Sequence, residues 1–588
     1  MSSRRTHTLA IVALFAAVSA GAAIPMASGR IDAIIDAHMH TKGLEPAAMS
    51  DDASFVRRIY LDITGTIPTY TQARAFLESK RQYKRAELIH DLLQTEGAAS
   101  HLSNYWSSLL RVQTRIQGSE PDAYAEWVRD AFRKNMPYDE FVYALLTAEG
   151  DSHENPATGY FLRDRRMRFD TVAATAQVFL GTQIGCAQCH DSKFDDWTQK
   201  DFYQFAAFMH AVDARPDARE ARALKQKIAK TKDDKEQARL RRELRNLPVT
   251  FKDDPKRRLR LPDDYVYDNG KPKQVVNSDV LFGKLPKARE GDTERDRFAR
   301  WLTAPSNPLF TKVAANRLWK RAIGVGVFEP VDDYNEFTRP SSPELLDALS
   351  AELKRVDYDL RRFMEIIYNT RMYQRATSGD DVDVRSYAFT DMPLRRMSAE
   401  QIWDSLQTLA LGSSDADAPA PRRGSAEPSS DMSPSEGSSA RQEEGSSMRE
   451  MTARKPAGRK SNSARRSADL PQPSRPGDLT DQFGRSDRET ITEGSTDPSI
   501  PQVLMLMNGK EIERLLESRN AYFVRDLRRM PSVSERIDRL YLSILTRSPS
   551  AAERERAETF VRNVDRSDRA YQDLSWALLN SREFLFVR

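Results

Sequence analysis

The stretch FVRRIYLDITGTIPTYTQARAFL, Phe55 to Leu77, sets the fold class. Phe55 to Asp62 carries apolar residues at helical spacing. Thr64-Gly65-Thr66-Ile67-Pro68-Thr69 then breaks the pattern with Gly and Pro, and Thr71 opens a second helix bearing Ala75, Phe76 and Leu77. The same rhythm recurs on either side. Arg85 to Leu93, Glu126 to Phe132 and Tyr138 to Leu146 read as helices, the last two split by Asn135-Met136-Pro137. It returns over 344–353, 360–368, 399–411, 509–516, 535–545 and 551–564, with Pro343 and Ser398 in start positions. Strand signal is sparse. Arg258 to Val276 alternates and holds an Asn-Gly turn, which predicts a hairpin. The predicted class is mainly α: a multi-helical two-domain protein with a minor β hairpin region in the middle and a long disordered insertion.

Composition narrows the function. The 588 residues hold 90 Lys and Arg against 86 Asp and Glu, a net charge of +4. That balance gives no support to a nucleic-acid binder, whose affinity comes from neutralised phosphates. Two cysteines rule out a disulfide framework.

Arg4 and Arg5, the apolar run Leu9 to Ala23 and Ala20-Gly21-Ala22 predict a secretory signal peptide over 1–29. The competing reading, a membrane anchor, falls short of the ~20 apolar residues a spanning helix needs. The expected mature protein is secreted or periplasmic, with no transmembrane segment after cleavage. A helical N-terminal domain is then expected over 30–216, a charged helix or helical hairpin over 217–246 and a connecting segment over 247–292. The first part of a helical C-terminal domain follows over 293–412. Residues 413–479 are Ser-, Pro- and Arg-rich without an aromatic residue, so they predict a disordered insertion. The second part of the C-terminal domain closes the chain over 480–588. The run from Asp217 to Asn246 places Leu224 four before Ile228 and Leu240 four before Leu244. It reads as a solvated helix or hairpin, with a partner-binding coiled coil as the alternative.

Both cysteines fall in one motif, Cys186-Ala187-Gln188-Cys189-His190. C-x-x-C-H is the attachment signature of a c-type haem: two thiols three residues apart each add to a vinyl group, and the adjacent imidazole ligates the iron. Haem attachment follows export, which agrees with the signal sequence. Three other readings stay open: a local Cys186–Cys189 disulfide, a metal site completed by a distant ligand, and a structural knuckle with free thiols. The flanks lack the strand-then-helix pattern of a thioredoxin-like site, and no second ligand pair exists for a tetrahedral metal. Phe194, Trp197, Phe202, Tyr203, Phe205 and Phe208 surround the motif. Phe202, Phe205 and Phe208 form a stripe that reads as core or as the wall of a haem crevice. Met209 and His210 are the candidate distal ligands, with Met167 and His153 behind them. Arg163, Arg165, Arg166 and Arg168 are candidates for haem propionates, or a solvated face.

Ile34-Ile35-Asp36-Ala37-His38-Met39-His40 imitates the strand-end H-x-H of amidohydrolases, but the βα alternation of a barrel is absent. The carboxylate pairs Asp195-Asp196 and Asp332-Asp333 are not placed across a cleft by anything in the sequence, so a glycosidase has no positive support.

FVRRIYLDITGTIPT and FLGTQIGCAQCHDSKFDDWTQKDFYQFAAFM resemble the N-terminal domain of a secreted planctomycete family, the "planctomycete cytochrome" type, which has no established function. NPLFTKVAANRLWKRAIGVGVFEPVDDY is similar to its planctomycete-specific C-terminal partner domain. So are SSPELLDAL, YNTRMYQR, RRMSAEQIWDSL, FGRSDRET, PQVLMLMNG and LLNSREFLF. The resemblance implies a haem or electron-transfer setting, though the family label itself rests on C-x-x-C-H. It also places IDAIIDAHMH in the family's lead-in. Here Asp191-Ser192-Lys193 stands where the family pattern has a second His and a Pro, which removes a further metal ligand and leaves the attachment triplet intact.

Three functions follow. The first is a protein carrying one haem c on Cys186 and Cys189, with His190 proximal, serving a redox partner. The second is a haem-free scaffold that binds a partner protein or an extracellular polymer. The third and weakest is a hydrolase of extracellular polysaccharide. The sequence does not decide between enzyme and non-enzyme.

Overall fold

A computed structural model describes residues 24–164, 167–193, 195–378, 387–412, 466–518, 520–525, 527–564 and 567–588. The apolar run read above as a signal peptide and most of the 413–479 segment lie outside the described residues.

The chain is mainly helical, and its helices start where side chains can cap them. Asp51 accepts from the Ser54 amide at 2.6 Å and opens Asp52–Thr64, which Gly65 ends at φ 74°. A Cβ at Gly65 would lie 2.5 Å from His101, so this stop suits only glycine. Thr69 and Gln72 form a capping box at Tyr70–Glu78. Ser342 with Pro343 opens Pro343–Arg355, and Ser398 with Gln401 opens Ala399–Leu411. Residues 24–41 form one further helix, so His38 and His40 sit on a helix and not at a strand end. The His38 ring packs 6.3 Å from Phe389.

Two small sheets complete the fold. Strands β1 (Gly150–Asp151), β2 (Val212–Pro216) and β3 (Val249–Asp253) form an antiparallel sheet ordered β1-β3-β2. β4 (Arg395–Arg396) pairs with β5 (Phe586–Val587). The link from β2 to β3 is a helical hairpin, Ala218–Lys230 and Asp234–Arg245, closed on a separate small core of Leu224, Leu240 and Leu247. The turn expected at 258–276 closes through one bridge, Arg260 to Val275, and not through regular strands. Within it the Asn269 carbonyl accepts from Lys200 of the helix Gln199–His210 at 2.6 Å.

The apolar cores do not divide where the sequence pattern changes at 293. Phe298, Trp301, Phe310, Trp319, Leu349 and Phe363 share one core with Phe55, Trp106, Phe141 and Phe179. A second core gathers residues from Met397 to Val587 and takes in Leu61 and Ile67 from the N-terminal part. Residues 466–479, expected within the insertion, are folded. Arg466 and Ser467 bind the buried Asp404 carboxylate, and Gln472 receives its place from Thr114. Tertiary bonding there supplies what composition alone withholds.

Two adjacent arginines lock the ends of the chain together. Arg57 donates to the carbonyls of Ile544 at 2.9 Å and Phe584 at 2.7 Å. Arg58 donates to those of Tyr373 at 2.6 Å, Arg375 at 2.9 Å and Arg588 at 2.6 Å. Burial pulls both guanidinium groups down to about 10. Beside them Asp62 takes two bonds from Arg395, at 3.0 and 2.8 Å, and one from the Tyr373 hydroxyl at 2.7 Å. Unpartnered, such groups would each cost several kcal/mol, on the order of 3. Here each is met by at least two hydrogen bonds, although Arg57 Nε, Arg58 Nη2 and Arg395 Nε stay unpartnered among the described residues. Among the described residues, no helix is long and apolar enough to cross a membrane.

Candidate functional site

Gly181, at φ 56°, ends the helix Arg168–Leu180 and frees the chain to enter the motif. Gly185–Gln188 then makes a single 3-10 turn. Ala187 is buried and anchors the turn, while Cys186 and Cys189 flank it, both free thiols and both exposed. The Cys189 amide donates to the Cys186 carbonyl at 3.3 Å. His190 is exposed as well.

The turn is fastened from behind. Thr198 and Asp201 build a capping box at the start of Gln199–His210. The Gln199 amide group donates to the Gln188 carbonyl at 3.2 Å and the Cys189 carbonyl at 3.0 Å. Asp191 Oδ1 accepts from the Gln199 backbone at 2.7 Å. His190 Nδ1 lies 2.8 Å from the Asp191 carbonyl oxygen. A carbonyl can only accept, so Nδ1 carries the proton and Nε2 of the neutral ring keeps its lone pair. Among the described residues nothing binds Nε2. Tyr203 stands close to Cys189: burial first, then the charges of Cys189 and Asp264, pushes its hydroxyl up. Phe169 packs on Tyr203 at 5.3 Å, which gives the turn an aromatic backing.

The other candidates go elsewhere. Met209 is buried and lines a small cavity with Phe161, Arg168, Thr171, Val212, Ala214 and Phe251. It lies ten residues beyond Gln199, about 15 Å along the helix axis, so the helix carries it away from the motif. His210 shares that far end. Burial first, then Arg168 and Arg257, holds its imidazole below its usual range. The structure therefore does not bring either expected distal ligand to His190. Phe202 meets Phe169, while Phe205 and Phe208 pack on Phe298 at 5.1 and 5.0 Å. That stripe is the core between two helices and does not wall a crevice. Arg163 lies over the Tyr160 ring at 3.9 Å beside Asp164, and Arg168 donates to the His210 carbonyl. His153 faces Glu120, and Met167 is exposed. Arg165, Arg166 and Phe194 lie outside the described residues.

One convergence was not legible in the sequence. Asp195, just past the motif, has its carboxyl pushed up by burial first, then by Asp333, with smaller contributions from Glu336 and Asp196. One member of each carboxylate pair named above, Asp195 and Asp333, thus feels the charge of the other. The Asp332 side chain itself accepts from Gln177 at 2.6 Å. Their 138-residue separation leaves no periodic signal. Among the described residues, no group of three or more His, Cys, Asp or Glu side chains is arranged to hold a metal ion. The donor set that remains, two accessible thiols and an imidazole with a free Nε2 on one turn, fits covalent haem attachment better than a tetrahedral ion.

No curated protein and no solved structure matches the chain. Residues 30–214 match the PSCyt2 model, a protein of unknown function (DUF1549). Residues 294–561 match the PSD1 model, a protein of unknown function (DUF1553). The chain therefore joins a PSCyt2-like region, which holds Cys186, Cys189 and His190, to a PSD1-like region, which holds Asp333.

Proposed function

We propose that this chain binds one haem c through Cys186 and Cys189, with His190 Nε2 as the proximal ligand, and serves a redox partner protein outside the cytoplasm. One observation carries the reading. The only two thiols of the chain and an imidazole with an open Nε2 share one exposed turn, where nothing among the described residues consumes them. When bound, the haem would supply one-electron chemistry. The protein's own part is to hold the thiols at fixed spacing, fix the tautomer of His190 and back the turn with Tyr203 and Phe169. Export is the compartment this attachment requires, and the N-terminal sequence supports it. The test is an absorbance scan and intact mass of the full chain expressed with a haem-attachment system. A Soret band and the mass of one covalent haem are expected; absence of both would remove the proposal.

The haem-free scaffold keeps one observation in its favour. Gln199 binds both carbonyls of the turn, so the motif is itself tied into the helical fold around it. A Cys186–Cys189 disulfide found by mass spectrometry, with no cofactor, would select that reading.

A further inference from the structure

Asp191 is held at three points. Its carbonyl accepts the His190 Nδ1 proton at 2.8 Å, and its side chain accepts from the Gln199 amide at 2.7 Å. Its backbone N–H donates to the Tyr267 hydroxyl at 2.8 Å. Tyr267 is neither in the PSCyt2-like region, which ends at 214, nor in the PSD1-like region, which starts at 294. It arrives on the 258–276 arc, and that arc is pinned in its own right. Tyr265 stacks edge-on against Tyr267 at 5.5 Å and bonds Asn269, and Lys200 donates to the Asn269 carbonyl at 2.6 Å. Gly270 allows the close pass: a Cβ there would fall 2.6 Å from Leu261.

We infer that Tyr267 is a positioning residue for His190, an inference that rests on the haem reading above. Its hydroxyl fixes the Asp191 amide. With the Asp191 side chain also tied, the carbonyl of the same residue has one direction left, and that direction holds Nδ1–H. A metal-ligating histidine that donates its other N–H to a fixed acceptor is oriented and made more basic. The connecting segment thereby sets the aim and the donor strength of a ligand that lies in another region of the chain.

The experiment uses the full chain as Y267F, with Y265F as control, since the Tyr265 hydroxyl bonds Asn269 and not the motif. Haem-loaded Y267F is expected to keep its covalent haem but show a raised midpoint potential and an altered axial-ligand spectrum, with Y265F like wild type. In apoprotein labelled with ¹⁵N-histidine, Y267F is expected to lose the Nδ1–H preference of His190. In unsubstituted protein, slow hydrogen exchange of the Asp191 amide is expected, and this readout needs no variant. A Y267F protein matching wild type in potential and in tautomer would overturn the inference, as would fast exchange at Asp191. If wild type takes up no haem, the haem reading falls alone, and the apoprotein tautomer and the exchange rate decide the role of Tyr267.

Discussion

Arg57 and Arg58 and the Cys186-to-His190 turn are placed opposite to what their chemistry suggests. The arginines carry full charges, yet they are buried and bound to five carbonyls drawn from four parts of the chain. The thiols are among the side chains most often found inside proteins, yet both are free of a disulfide and exposed. A buried charge bound to carbonyls of distant segments fixes how those segments meet. A soft nucleophile left in solvent fixes nothing, so its position asks for an external partner. The contrast separates what builds this molecule from what it does.

Removing the exposed side of that contrast should end cofactor binding and leave the fold alone. C186S with C189S is expected to abolish covalent haem, read as loss of the Soret band and of the added mass. The apoprotein should change in stability by about 0.5 kcal/mol or less, as for a surface substitution free of contacts. A double variant that fails to fold would show that the turn is structural. The buried side should behave in reverse. Arg58→Met keeps bulk but strips the donors from Tyr373, Arg375 and Arg588, and is expected to cost about 3–5 kcal/mol in chemical denaturation, with the thiols still accessible to a thiol reagent.

The sequence showed these two regions unequally. C-x-x-C-H is read from five adjacent residues, so its spacing needs no knowledge of the fold. The helices were equally open, because Ser342 with Pro343 and Ser398 with Gln401 act within one turn. Arg57 and Arg58 lie in the opening stretch itself, but their acceptors sit 315 to 530 residues away. Periodicity carries no trace of such pairing. An apolar run interrupted by two adjacent arginines was the available hint. The same distance hid Asp195 beside Asp333 and Tyr267 beside Asp191, and it moved 293–392 into the first core. Met209 and His210 lie at the far end of the helix Gln199–His210 from the motif, because adjacency in sequence becomes separation along a straight helix.

Finer cuts sharpen the buried side. Tyr373→Phe removes one of three bonds to the Asp62 carboxylate while Arg395 still pairs with it. Its expected cost is about 1.5 kcal/mol, the range for a hydrogen bond to a charged group. A loss as large as that of Arg58→Met would mean that Asp62, and not the arginine pair, organises this junction.

The smallest effect lies between the two extremes. Arg547 holds Glu553 at 2.8 Å and Glu583 at 2.6 Å, at a site about one quarter exposed, next to the Phe584 carbonyl that Arg57 binds. The Arg547 bonds, together with Ser550, hold the Glu553 carboxyl down to about 2 from an ordinary 4.5. The unfolded chain therefore takes up a proton below pH 4.5 that the folded chain refuses until about 2. The stabilisation is complete above pH 4.5 and is lost as the pH falls through about 2. Solvent screening keeps it small, under about 1 kcal/mol. E553Q is expected to unfold slightly more easily than wild type at pH 7, with the gap closing between pH 4.5 and 2. Arg57 and Arg58 stay charged through that range, so a gap that persists at pH 2 would mean that Glu553 acts by shape, as the buried pair does by its donors, and not by charge.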